Sequence, residues 1–241
     1  MTEPLVFYSV MLPMTLIAGF IRGFTGFGGP LFLLPVVNLF MPPAVGAGIV
    51  LWIDLFANIH LVPSARRDST RAVILPLILG TLVAMPIGVY VLINTDPVMM
   101  KRLIGITILI VAMILITGWR YSGEVKRWVY SVVGAISGLI MGATAIGALT
   151  ALFLSGGRHT ARQNRANFII WAFLAIVLFL VLLVLGGTLD MSDAGAIAIL
   201  TPGYVVGTVL GSRLIHKVSD AFMRKAVLVL IMAVALASIL L

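Results

Sequence analysis

Long apolar runs separated by short polar clusters organise this chain. Apolar segments fall at roughly 5–22, 30–41, 44–63, 73–94, 99–118, 129–141, 146–156, 166–187, 194–215 and 222–241. At 1.5 Å of rise per residue, about 20 residues cross a hydrocarbon core, and most of the longer runs reach that length. The runs 30–41, 129–141 and 146–156 are too short to cross comfortably and read as half-helices. The pattern predicts an all-α polytopic membrane protein.

Two interruptions stand out within apolar sequence. The first is Gly19-Phe-Ile-Arg-Gly-Phe-Thr-Gly-Phe-Gly-Gly-Pro-Leu-Phe-Leu-Leu-Pro35, and the second is Gly134-Ala-Ile-Ser-Gly-Leu-Ile-Met-Gly-Ala-Thr-Ala-Ile-Gly147. Unwound backbone at membrane depth is tolerated where it is buried in protein or lines a wet cavity. Paired breaks in two halves of a chain point to a transporter's binding site.

Composition agrees with the apolar pattern. The 241 residues are 61% hydrophobic and 10% charged, with a mean hydropathy of +1.20. A soluble domain carries about 25% charged residues. No signal-peptide pattern is expected at the N-terminus, which lacks a basic stretch and a cleavage site. The net charge of +8 does not point to nucleic acid, because no soluble domain exists to carry a basic patch. The absence of cysteine excludes disulfides and thiolate metal sites.

Charge placement gives a topology. Arg66, Arg67 and Arg71 form one group, and Arg120, Lys126 and Arg127 a second. Arg158, Arg162 and Arg165 form a third, and Arg213, Lys217, Arg224 and Lys225 a fourth. Together they hold 13 of the 16 basic residues. The positive-inside rule places all four groups in the cytoplasm, with Glu3, Asp96, Asp190 and Asp193 outside. The stretch 129–156 must then enter and return as a hairpin bent at Gly142–Gly147. Its first-half counterpart is 5–41, bent near Thr25–Pro30.

The halves align through Gly19/Gly23 with Gly134/Gly138, Trp52 with Trp171, and Asp96/Lys101 with Asp220/Lys225. The expected organisation is two inverted repeats, 1–122 and 123–241. Each is a broken-helix hairpin plus three transmembrane helices within one membrane domain.

Candidate chemistry gathers at the breaks. Gly26, Gly28 and Gly29 before Pro30 are too dense for a helix face, and proline suits the first turn of a new helix. Such a helix start offers free N–H groups and a positive dipole end to an anion. Thr25, Gly26, Gly28 and Gly29 are therefore expected to face Thr144, Ala145 and Gly147, with Arg22 and Asn167 as further donors. Asp54 is an acid well inside a span, with Asn58 one turn later, and is a candidate proton site or a partner of Arg22. Gly19/Gly23, Gly134/Gly138 and the ladder Gly203, Gly207, Gly211 read as close helix packing, and His60 as a boundary residue. No G-x-S-x-G, H-E-x-x-H or Walker motif occurs, and His60, His159 and His216 show no metal spacing. No enzymatic activity, cofactor or metal is expected.

The first break, followed by Leu34-Pro35, resembles the opening motif of the sulfite exporter TauE/SafE family. Gly134-Ala-Ile-Ser-Gly-Leu, the break to Gly147 and Arg165-Ala-Asn resemble its degenerate second copy. There the family's Gly-Gly-Pro is replaced by Gly147-Ala-Leu. The resemblance implies transport of small sulfur oxyanions, sulfonates or related carboxylates. The expected protein is a multi-pass secondary transporter of the inner or plasma membrane. Its partners would be a small anion, the lipid bilayer and a second copy of itself. An anion channel and a membrane assembly subunit are the alternatives.

Overall fold

The computed structural model describes residues 4–117, 125–157, 160–189 and 193–214. The last apolar segment, the Asp220/Lys225 match, Arg120, Arg158, His159 and Asp190 lie outside the described residues. Ten helices occur among those described: α1 (Pro4–Thr25), α2 (Gly28–Val37), α3 (Pro43–Ile59), α4 (Val62–Asp68), α5 (Arg71–Asn94), α6 (Pro97–Thr117), α7 (Arg127–Thr144), α8 (Ala148–Ser155), α9 (Ala161–Leu185) and α10 (Asp193–Leu214). No strand is found among the described residues. Among the described residues five helices are long and apolar enough to cross a membrane: α1, α5, α6, α9 and α10. The expected span 44–63 is broken. It bends by 65° between α3 and α4, and the pair passes the same test only together.

Local sequence explains the element boundaries. Pro43 sits in the first turn of α3, where its missing N–H costs nothing. Thr160 and Gln163 form a capping box at the start of α9. Proline inside α1, α2, α5 and α10 is compatible with membrane helices, where neighbouring groups satisfy the freed carbonyls.

Both short helices return along the helix before them. Phe7, near the start of α1, meets Phe40 just beyond α2, with ring centroids 5.5 Å apart. Tyr130 of α7 and Phe153 of α8 make the equivalent contact at 5.8 Å. Each segment is a hairpin closed by an edge-on aromatic pair at its open end. A single kinked span in either place does not fit these contacts.

Glycine packs the long helices across the halves. A Cβ at Gly19 or Gly23 would fall onto the backbone carbonyls of Tyr204 and Thr208, and one at Gly207 or Gly211 onto those of Leu16 and Phe20. Thus α1 and α10 lie backbone to backbone. In the same manner Gly80 and Gly88 of α5 lie against the Ser131 and Leu139 carbonyls of α7, and Gly134, Gly138 and Gly142 of α7 against Leu77, Thr81 and Met85 of α5. Lipid tails are as apolar as leucine, so close backbone approach and dispersion supply much of the association. The packing expectation for these glycines holds. The outward faces of α5 and α6 carry exposed Leu75, Leu79, Val83, Ile106, Ile110 and Met113, as a lipid-facing surface does.

Candidate functional site

The two breaks have matched local geometry. The α1 helix ends at Thr25, whose hydroxyl donates to the Ile21 carbonyl at 2.8 Å. The α7 helix ends at Thr144, whose hydroxyl donates to the Ile140 carbonyl at 2.7 Å. The next residue in each is left-handed: Gly26 at φ 87° and Ala145 at φ 58°. Matching Thr25 with Thr144 gives an offset of 119 residues, the same offset that joins Trp52 to Trp171. Gly19 and Gly23 therefore stand level with Gly138 and Gly142, one helical turn beyond the match expected from Gly134 and Gly138.

The helix starts after the breaks differ. The Thr25 hydroxyl accepts from the Gly28 amide at 2.9 Å, and Pro30 has no amide hydrogen, so the α2 start offers at most the Gly29 and Leu31 amides. Gly28 and Gly29 are buried and tightly packed, Gly29 against the Tyr204 hydroxyl and Arg22. In contrast, α8 starts at Ala148 with no side-chain cap. The clearer helix-end donors thus lie in the second hairpin, which has the weaker sequence motif.

Arg22 organises the centre. It sits in the last turn of α1, where a cation complements the helix dipole, and is 4% exposed. Its Nε donates to Asp54 Oδ1 at 2.7 Å, and its Nη2 donates to Asn58 Oδ1 at 2.7 Å. The Asn58 amide donates to Asp54 Oδ2 at 3.0 Å. The hydroxyl of Tyr204, on α10, donates to Asp54 Oδ1 at 2.7 Å. Both carboxylate oxygens are therefore engaged, and the ion pair is buried. At the matching level of α7 stands Met141, so this charge is confined to one half.

Tyr204 was not among the expected site residues. No local pattern marks it, since it lies between Gly203 and Gly207 of a packing ladder. It connects the first-half pair to α10 of the second half. A corresponding link runs the other way, where Trp171 Nε1 donates to the Thr81 hydroxyl at 2.9 Å.

Arg22 lines two cavities. One, of about 20 Å³, lies between the hairpin tips and is bounded by Phe27, Pro30, Ala145, Gly147 and Trp171. That volume holds about one water and no oxyanion. The other, of about 130 Å³, is lined by Arg22, Gly23, Gly26, His60, Arg165, Thr208 and Ser212 among others. The expected residues thus divide. Ala145 and Gly147 border the small cavity, which Thr25, Gly28, Gly29 and Thr144 flank without lining it. Gly26 borders the large one. Asn167 lines neither, because its Oδ1 accepts from the Thr70 amide at 2.7 Å and ties α9 to the start of α5. No group of His, Asp or Glu among the described residues is arranged to hold a metal.

A family model described as sulfite exporter TauE/SafE matches residues 11–238. No curated protein and no solved structure matches the chain.

Proposed function

The chain belongs to the sulfite exporter TauE/SafE family of membrane transporters, and from that premise we propose that it is a secondary transporter of a small sulfur oxyanion or organosulfonate. The buried Arg22 carries this reading. An arginine at membrane depth is costly and faces a partner or a functional cavity. Arg22 uses two of its five N–H donors on Asp54 and Asn58 and borders both cavities. The tips of α2 and α8 add helix-end amides, the stronger set at Ala148 and Leu149.

In this mechanism Asp54 is the internal counter-anion. It holds Arg22 while the site is empty, and the arriving oxyanion takes its place on the guanidinium. A proton placed on Asp54 weakens the same hold, which couples proton entry to anion entry. Tyr204 and Asn58 keep the carboxylate in position and pass its displacement to α10 and α3. The exchange of partners between halves, α1 with α10 and α7 with α5, supports two inverted repeats that rock against each other. The small volume between the tips supports an occluded transport site over a continuous channel.

Reconstituted into proteoliposomes, the protein is expected to exchange radiolabelled sulfite saturably, and Arg22→Gln to abolish exchange. Asp54→Asn is expected to remove its pH dependence. A thermal-shift series with sulfite, thiosulfate, ethanesulfonate and small carboxylates ranks the substrates. No stabilisation by any sulfur anion, together with no exchange, overturns the proposal.

A further inference from the structure

Beyond the central site, the 130 Å³ cavity contains a basic residue that the mechanism above does not use. Arg165 lies on the first turns of α9 and faces this cavity with Arg22 and His60. Among the described residues no acid pairs with Arg165. Asp68, on neighbouring α4, is taken by Arg162 at 2.8 Å. No acidic side chain among the described residues lines the cavity. Asp54, which contacts the cavity's Arg22, has both oxygens engaged by Arg22, Asn58 and Tyr204. The cavity therefore combines apolar walls, one partnered arginine, one arginine with no partner among the described residues, and an imidazole.

The space also suits a small anion. Its volume is several times that of the space between the hairpin tips, room enough for one small oxyanion. The cavity is open in front of Gly26, where a Cβ would meet nothing within 4 Å. It lies at the α4–α9 end of the bundle, where Arg66, Arg67, Arg71 and Arg162 also sit. A basic surround of this kind raises the local concentration of anions at the mouth of a cleft.

We propose that this cavity is a second anion subsite, a one-sided vestibule in which Arg165 holds the sulfur oxyanion before it passes to Arg22. This rests on the transport reading above and adds to it a residue and a direction. Arg165 binds by charge-assisted hydrogen bonds, and His60, across the cavity, is within the same lining. The structure then holds the roomier of the two Arg22 cavities at the α4–α9 end and leaves space for only about one water between the hairpin tips.

The chain contains no cysteine, so Arg165→Cys gives a single reactive thiol. The variant is reconstituted and assayed for sulfite exchange before and after alkylation with 2-bromoethylamine. That reagent restores a cation through a thioether, which sulfite does not cleave. Arg165→Cys is expected to weaken apparent sulfite affinity by at least about tenfold, the factor that one charge-assisted hydrogen bond is worth. Alkylation is expected to recover most of the loss, and Arg165→Lys to stay near wild type. Ethanesulfonate, which unlike sulfite does not consume the reagent, should slow the alkylation, and in sealed vesicles the reagent should act from one face only. Unchanged affinity in Arg165→Cys, with wild-type exchange intact, overturns the vestibule and leaves the central site standing. Alkylation that ethanesulfonate does not slow, or that restores nothing, overturns it as well. Absence of exchange in the wild type removes the transport reading itself.

Discussion

Replacing Asp54 by Asn isolates the charge on Arg22. Both residues are 4% exposed, and the guanidinium–carboxylate distance is 2.7 Å. The substitution preserves shape and leaves Tyr204 and Asn58 a neutral partner, but Arg22 loses its counter-charge. Removing one member of a buried pair costs about 3–5 kcal/mol, because the survivor remains desolvated. For a chain of this length about 2–4 °C of midpoint accompanies each kcal/mol, so the melting temperature should fall by roughly 6–20 °C. Arg22→Met places at this level the residue that the second half carries as Met141. The double variant Arg22→Met/Asp54→Asn should therefore melt above Asp54→Asn alone, a coupling that a double-mutant cycle measures. Sulfite at a hundredfold excess over its dissociation constant adds about 2.7 kcal/mol to a single-site protein. Its shift should be larger in Asp54→Asn, where the anion supplies the missing charge. The assay is a thermal melt of detergent-purified protein, with and without sulfite. A midpoint within about 2 °C of wild type, or single-variant losses that simply add, would refute the counter-anion argument.

Three further outcomes follow from the packing. Gly23→Ala should destabilise by about 1–3 kcal/mol, since its methyl would fall onto the Thr208 carbonyl. Gly195→Ala on the same α10 meets nothing within 4 Å and should be neutral or better, so the two melts compared side by side test the close crossing. Tyr204→Phe removes a hydrogen bond to a charged group and should cost about 1.5 kcal/mol in stability while slowing sulfite exchange; an unchanged rate argues against a role in linking the halves. Ala145→Gly relieves a left-handed alanine and should raise stability by about 1 kcal/mol, read from the same melts.

Much of the site was visible as residue types and not as contacts. Arg22 and Asp54 were legible because charge is rare at membrane depth, and pairing was one of the two roles open to Asp54. Asn58 was legible as its neighbour one turn away, and it closes the pair from the far side. Tyr204 was not legible, since its hydroxyl reaches Asp54 across 150 positions and nothing nearby in sequence distinguishes it from a packing residue. Asn167 was read as a ligand donor; its carbonyl oxygen accepts from the Thr70 amide, and its buried Nδ2 has no partner among the described residues. Arg165 was read as a topological charge, and only its place beside Arg22 in a shared cavity gives it a second use.

Sequence alone determined the helical class, the membrane setting and the two hairpin breaks, together with the family motif that crosses the first of them. Each of these depends on local composition: apolar run length, loop charge, and glycine and proline density over a few residues. Tertiary structure decided the partner of Arg22, the bend between α3 and α4, and which of the two Arg22 cavities is the larger. Those depend on where helices cross and which way side chains point. Glycines repeating every four residues mark a packing face in sequence, and only the crossings in the fold show that α1 packs on α10 and α5 on α7.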